Sequence, residues 1–223
     1  MCAMARGNYG YGRWEAPYWF IGPEQGIGQH EKNDLRRRVE AWTELGQQEL
    51  NDCREFHSRI GELRWHFKKP KVDLQSTWRP LMLLMMTLLG READGEALRN
   101  YQRDRWGTIN GETCVIELSG LAASTLKDTK DTGAFLQERI RAICRRMQQH
   151  RPEFVLMYGK LQRDAWEKIA STTLPDEPTP FVIGNPTTLI FTPHPVSRIR
   201  EGNGYLGNKY WARLGRSLHE ARR

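Results

Sequence analysis

The sequence predicts a three-layer α/β/α domain built on a central four-stranded parallel sheet. Three observations predict it. Four short runs are almost wholly apolar: Tyr18–Ile21, Thr113–Leu118, Phe154–Tyr158 and Thr188–Phe191. Such runs read as strands buried on both faces, because a strand open to water on one side alternates apolar with polar residues. Between the runs lie stretches with apolar residues at helical spacing, and strands alternating with helices build parallel sheets covered on both faces. Finally, the 223 residues contain no internal repeat and no linker composition that would split them. One domain over 17–223 is expected, preceded by a loosely ordered Gly-, Tyr- and Arg-rich segment, 1–16.

The elements follow in order. Tyr18-Trp19-Phe20-Ile21 lies between Pro17 and Gly22 and reads as the first strand. A Gly-rich turn, Gly22–Gly28, comes next. Leu35, Val39, Trp42 and Leu45 then recur at helical spacing, with Gly46 at the end. Residues 47–75 are polar with scattered aromatics, either helix or irregular chain. Pro80–Leu89 reads as a buried helix with Pro near its start and Gly90 past its end. Its methionines, Met82, Met85 and Met86, suit core filling. Thr113–Leu118 is the second strand. A helix over Gly133–His150 places Phe135, Leu136, Ile140, Ile143 and Met147 on one face. Phe154–Tyr158 is the third strand, stopped by Gly159 and followed by a helix through Trp166 and Ile169. A Pro-rich loop, Leu174–Pro186, leads to the fourth strand and to Thr192-Pro193-His194-Pro195. A last helix spans Lys209–Glu220.

Composition narrows the classes. Hydrophobic residues make up 39% and charged residues 27%, an ordinary globular balance that excludes collagen, low complexity and a disulfide scaffold. The longest largely apolar run, Leu81–Leu89, has nine residues, against the roughly 20 that a membrane span needs. Met1–Arg13 lacks the apolar core of a signal peptide, so a cytoplasmic monomer with no membrane partner is expected. Cys2, Cys53, Cys114 and Cys144 form no CxxC pair, and the six histidines form no HxxxH or HExxH. Reduced structural thiols and no metal or cofactor are the expectation.

Lysine and arginine number 34 against 27 acids, a formal charge of +7. From His194 onward seven are basic and two acidic. That balance suits a polyanion, although a solvated basic face has the same composition.

Ligands of open parallel sheets bind beyond the carboxyl ends of the strands. Glu24, Gln25 and Gly26 follow the first strand, Glu117 and Ser119 the second, Gly159-Lys160 the third and His194 the fourth. Each has a plain structural reading: Glu24 as a cap on the next helix, Glu117 as a paired carboxylate, His194 as a loop residue. Their joint position at strand ends favours a site.

This set resembles the uracil-DNA glycosylase superfamily. Gly22-Pro23-Glu24-Gln25-Gly26 is similar to its first motif, and Thr192-Pro193-His194-Pro195-Val196-Ser197-Arg198 to its closing His-Pro turn. Phe154–Lys160 is similar to its third strand and exit. The resemblance covers most of 17–215. It implies a base excision repair enzyme that flips uracil or a related damaged base out of single- or double-stranded DNA and hydrolyses the N-glycosidic bond. Glu24 would orient water and stabilise the cationic sugar, and neutral His194 would donate to the base O2. Gln25, Gly26, Glu117 and Ser119 would contact the base. Arg198, Arg200, Tyr205 and Lys209 would contact DNA. Two departures stand out. Glu117 occupies the place where the family usually has Asn, and would match uracil only when protonated; backbone groups near Ser119 are the alternative reader. Gly26 occupies the place of a thymine-excluding Tyr. A non-catalytic DNA-binding protein on the same scaffold, a nucleotide-binding doubly wound enzyme and a protein-interaction module remain open alternatives.

Overall fold

The computed structural model describes residues 2–23, 31–120, 133–174, 182–183, 187–201 and 204–222. In chain order they form α1 (Cys2–Gly7), β1 (Gly10–Tyr11), β2 (Tyr18–Gly22), α2 (Glu31–Glu44), β3 (Leu50–Asn51), α3 (Cys53–Arg59), α4 (Trp78–Leu88) and α5 (Gly95–Asp104). Then come β4 (Thr113–Glu117), α6 (Gly133–His150), β5 (Phe154–Tyr158), α7 (Arg163–Ala170), β6 (Val182–Ile183) and β7 (Thr188–Thr192). A small hairpin, β8 (Arg200–Glu201) and β9 (Gly204–Tyr205), precedes α8 (Asn208–Glu220).

The four expected strands are present and mutually parallel, in the order β4-β2-β5-β7. The sheet is wider than expected, with seven strands rather than four. β1 joins β4 antiparallel, β3 extends β1 in parallel, and β6 joins β7 antiparallel. Each addition is two residues long, too short to carry an alternation in the sequence.

Alternate strand residues feed two cores. Tyr18, Phe20, Val115, Phe154, Leu156 and Ile190 share one core with α4 and α8 residues. Trp19, Ile21, Cys114, Ile116, Val155, Met157 and Phe191 share the other with α6 and α7 residues. This gives three layers, α/β/α. Leu81, Met82, Leu84 and Met85 of α4 are fully buried, and truncating such a side chain to Ala costs about 2–5 kcal/mol. The α4 methionines are core, as their unbranched, adaptable chains suggest. α8 crosses α4 closely because Gly215 has no side chain: a Cβ there would lie 2.0 Å from Thr87 Oγ1 and 2.5 Å from Leu84 O. His219 Nδ1 adds a bond to Leu88 O at 2.8 Å. No helix among the described residues is long and apolar enough to cross a membrane.

The N-terminal segment corrects a second expectation. Residues 2–16 are folded into α1 and β1, with Tyr9, Tyr11, Trp14 and Ala16 buried. Besides the β1 ladder, Arg139 of α6, itself 1% exposed, ties the segment down. Its guanidinium donates to Ala5 O at 2.9 Å, Asn8 O at 3.1 Å, Glu117 O at 2.8 Å and Leu118 O at 2.9 Å, and it lies 4.2 Å from the centre of the Tyr9 ring. Desolvating a guanidinium is costly unless its donors are filled, and here backbone carbonyls from two distant segments fill them.

Candidate active site at the carboxyl edge of the sheet

β2 lies between β4 and β5, so the chain leaves it first toward one side of the sheet and later crosses to the other. Ligands of such sheets bind in the crevice at this reversal of strand order. The register places Gly22 opposite Glu117, and Tyr158 opposite Thr192. These four end residues form one row across the sheet, on the α4 and α8 side.

Gly22 is a notch in that row. A Cβ on it would lie 2.2 Å from the Tyr158 hydroxyl and 2.5 Å from Glu117 Oε2. Both oxygens therefore occupy the space that a side chain would take. Tyr158 is buried, and Glu117 is half-buried with Oε2 sealed from solvent.

His194 comes next along the edge. Its ring meets Tyr158 edge-on, with centroids 5.4 Å apart and planes at 73°. The Val196 N–H donates to His194 Nδ1 at 3.4 Å. An acceptor at Nδ1 in a neutral imidazole assigns the proton to Nε2. Burial lowers the pKa of His194 below its ordinary value, so the neutral form prevails at neutral pH. Pro193 and the buried Pro195 fix the backbone on either side. Thr192, fully buried, accepts the Gly159 N–H on its carbonyl at 3.0 Å. Gly159 adopts φ +99°, and Trp166 Nε1 donates to its carbonyl at 2.8 Å.

Beyond β2 and β4 the chains stay zipped. Leu118 N–H donates to Gly22 O at 2.7 Å, and Ser119 N–H donates to Pro23 O at 2.8 Å. These two amides are therefore engaged within the protein, which leaves any backbone reading of a base near Ser119 to other groups. Ser119 itself is buried. Arg139 grips the Glu117 and Leu118 carbonyls from the other side, so the Glu117 backbone is held on both edges.

Glu117, Tyr158 and His194 are thus brought together. Glu24, Gln25 and Gly26 lie outside the described residues, as does most of the Pro-rich loop. Arg198 is exposed. Arg200 pairs with Tyr205 in the hairpin, and Leu206 N–H closes that loop onto Ile199 O at 2.9 Å. Lys209 is exposed in the first turn of α8. The far end of the basic segment is elsewhere: Arg222 packs on Tyr18, at the amino end of β2, and pairs with Glu153. Two large apolar side chains stand exposed after β5 and β7, Leu161 at 70% and Val196 at 53%.

Tyr158 and Thr192 escape a reading of the sequence because each simply ends an apolar run. Their signal is positional: the last residue of a parallel strand faces the ligand edge. No protein-family model matches the sequence, and no curated protein matches it.

Proposed function

We propose that the protein is a DNA glycosylase that releases uracil or a related damaged base by hydrolysing the N-glycosidic bond of a flipped nucleotide, in base excision repair. The observation that carries this reading is His194: a rigidly held, neutral imidazole with its proton on Nε2, at the carboxyl edge beside Tyr158 and Glu117.

The chemistry needs little more. The bond breaks toward a sugar cation and a base anion, so a donor at the base O2 lowers the barrier most. His194 Nε2–H is that donor, and Tyr158 holds its ring in place. Glu24 orients the attacking water and stabilises the sugar. Glu117 meets the base edge. Leu161 and Val196 are suited to fill the gap that the flipped base leaves, as apolar wedges do in minor-groove proteins. Arg198, Arg200 and Lys209 neutralise the flanking phosphates.

The test is strand cleavage by alkali after incubation with uracil-containing single- and double-stranded oligonucleotides. Alkali-labile sites at uracil are expected. Intact strands on uracil, hypoxanthine, xanthine and mismatched thymine substrates would end the glycosylase reading. Salt-dependent binding of abasic DNA without base release would favour a non-catalytic relative.

A further inference from the structure

A second cluster of reactive side chains lies under α3, outside the Glu117–Tyr158–His194 row. Cys53 begins α3 and His57 follows one helical turn later, which puts thiol and imidazole on one face. His66 comes from the irregular chain beyond a single 3₁₀ turn, Leu63–Trp65. All three are buried: Cys53 at 0%, His57 at 6% and His66 at 1% exposure.

Cys53 Sγ lies 3.4 Å from His57 Nδ1 and 3.7 Å from His66 Nε2. One potential ligand atom from each residue falls within 4.8 Å of the others. Zinc holds sulfur at about 2.3 Å and imidazole nitrogen at about 2.0–2.1 Å, so adjacent corners of its tetrahedron stand about 3.6 Å apart. The two observed distances bracket that edge.

Two acidic and two basic side chains act on the cluster. Asp52 acts on both Cys53 and His66, and Asp104 acts on His66. Arg38 and Arg54 oppose them, on His57 and His66 respectively. The Asp52 carboxylate is fixed by the amides of Arg54, Glu55 and Ile109, each at 3.0 Å. With Nε2 turned to the thiol, His66 Nδ1 is left sealed from solvent, and the Arg103 backbone acts on the ring. Ligating histidines commonly turn their second nitrogen to a backbone carbonyl. His57 Nδ1 meanwhile bonds the Cys53 carbonyl at 2.7 Å, a contact that ligation through Nδ1 would replace.

We propose that Cys53, His57 and His66 bind one zinc-class divalent cation through a thiolate and two neutral imidazoles, tying the chain around His66 to α3. Binding forms the metal–sulfur bond and releases the thiol proton to solvent; a non-protein ligand completes the tetrahedron. The site does not depend on the glycosylase reading.

The test uses the full-length chain, stripped of metal and titrated with cobalt(II). One equivalent should bind, with a thiolate-to-cobalt charge-transfer band and the intense visible bands of four-coordinate cobalt. Zinc should displace it and raise the melting temperature with concentration. Cys53→Ser should abolish the charge-transfer band, and His66→Gln should weaken it. A wild-type protein with no such band and a melting temperature indifferent to zinc overturns the proposal, whatever the variants do. So does a band that persists unchanged in Cys53→Ser.

Discussion

Glu117 and Tyr158 belong to strands that flank β2 from opposite sides and never pair with each other, yet their side-chain oxygens meet over the Cα of Gly22. A methyl group at that Cα cannot coexist with either oxygen. Gly22→Ala should therefore displace both side chains and overpack the row, at a cost of about 1–3 kcal/mol. The expected outcome is a folded protein, melting a few degrees lower, whose single-turnover base release falls far more than its stability. Wild-type release from Gly22→Ala would show that the meeting of the two oxygens is not part of the site.

His194→Ala should lose about 10²- to 10³-fold in rate, the usual loss for one electrostatic donor, while still binding abasic DNA. The pH dependence has a definite sign. Burial holds the folded pKa of His194 below 6.5, so the neutral donor persists as pH falls through 6.5 and is lost only at more acid pH. A single-turnover pH profile should keep its plateau at pH 6.5. A drop centred above that value contradicts a neutral donor.

Glu117 separates two chemistries. If its carboxyl is protonated and faces the base, Glu117→Gln keeps a donor and an acceptor and retains partial activity. If it is an ionised catalytic group, Glu117→Gln is as damaging as Glu117→Ala. Release rates of the two variants on uracil DNA decide between them, and wild-type activity in Glu117→Ala removes the residue from both roles.

The double variant Arg198→Ala, Arg200→Ala should weaken DNA binding and reduce the slope of log affinity against log salt by up to about two, close to one per phosphate contact. Its chemical step on fully bound substrate should change little. An unchanged slope takes this loop off the DNA and favours an interaction module.

Arg139→Met keeps an unbranched stem, shorter than that of arginine, and removes every donor. It leaves the carbonyls of Ala5, Asn8, Glu117 and Leu118 without this partner inside the fold. Unsatisfied buried polar groups cost about 1–3 kcal/mol each, so a loss of at least about 3 kcal/mol is expected in urea unfolding. Hydrogen exchange should rise first in 2–16. A variant as stable as wild type would mean that the β1 ladder alone suffices to hold the N-terminal segment.

How much of this was legible follows from the range of the forces involved. The four parallel strands could be read because each is a continuous apolar run, and His194 because two prolines bracket it at the end of one. β1, β3 and β6 carry no such mark, being pairs of residues recruited by existing edges. The segment holding Tyr9 and Trp14 looks loose because its anchor, Arg139, is 134 residues from Ala5, and no local pattern reports a contact so remote. Tyr158 is indistinguishable in sequence from Phe154 or Met157; only the register gives it an edge position. Cys53 and His57 were legible in principle. Their Cys-x-x-x-His spacing is helical, but like-residue spacings pass over a mixed pair, and His66 joins them only through the fold.

The zipper between the exits of β2 and β4 has a consequence for how base preference could change over time. With the Leu118 and Ser119 amides locked onto Gly22 and Pro23, the proposed reading gives the side chain at 117 a leading part in discrimination on this flank. A backbone reader would be rigid, retuned only by rebuilding a loop. A side-chain reader is editable one codon at a time, so under the proposed glycosylase function a single substitution at Glu117 is enough to alter base preference while the scaffold around it stays as it is.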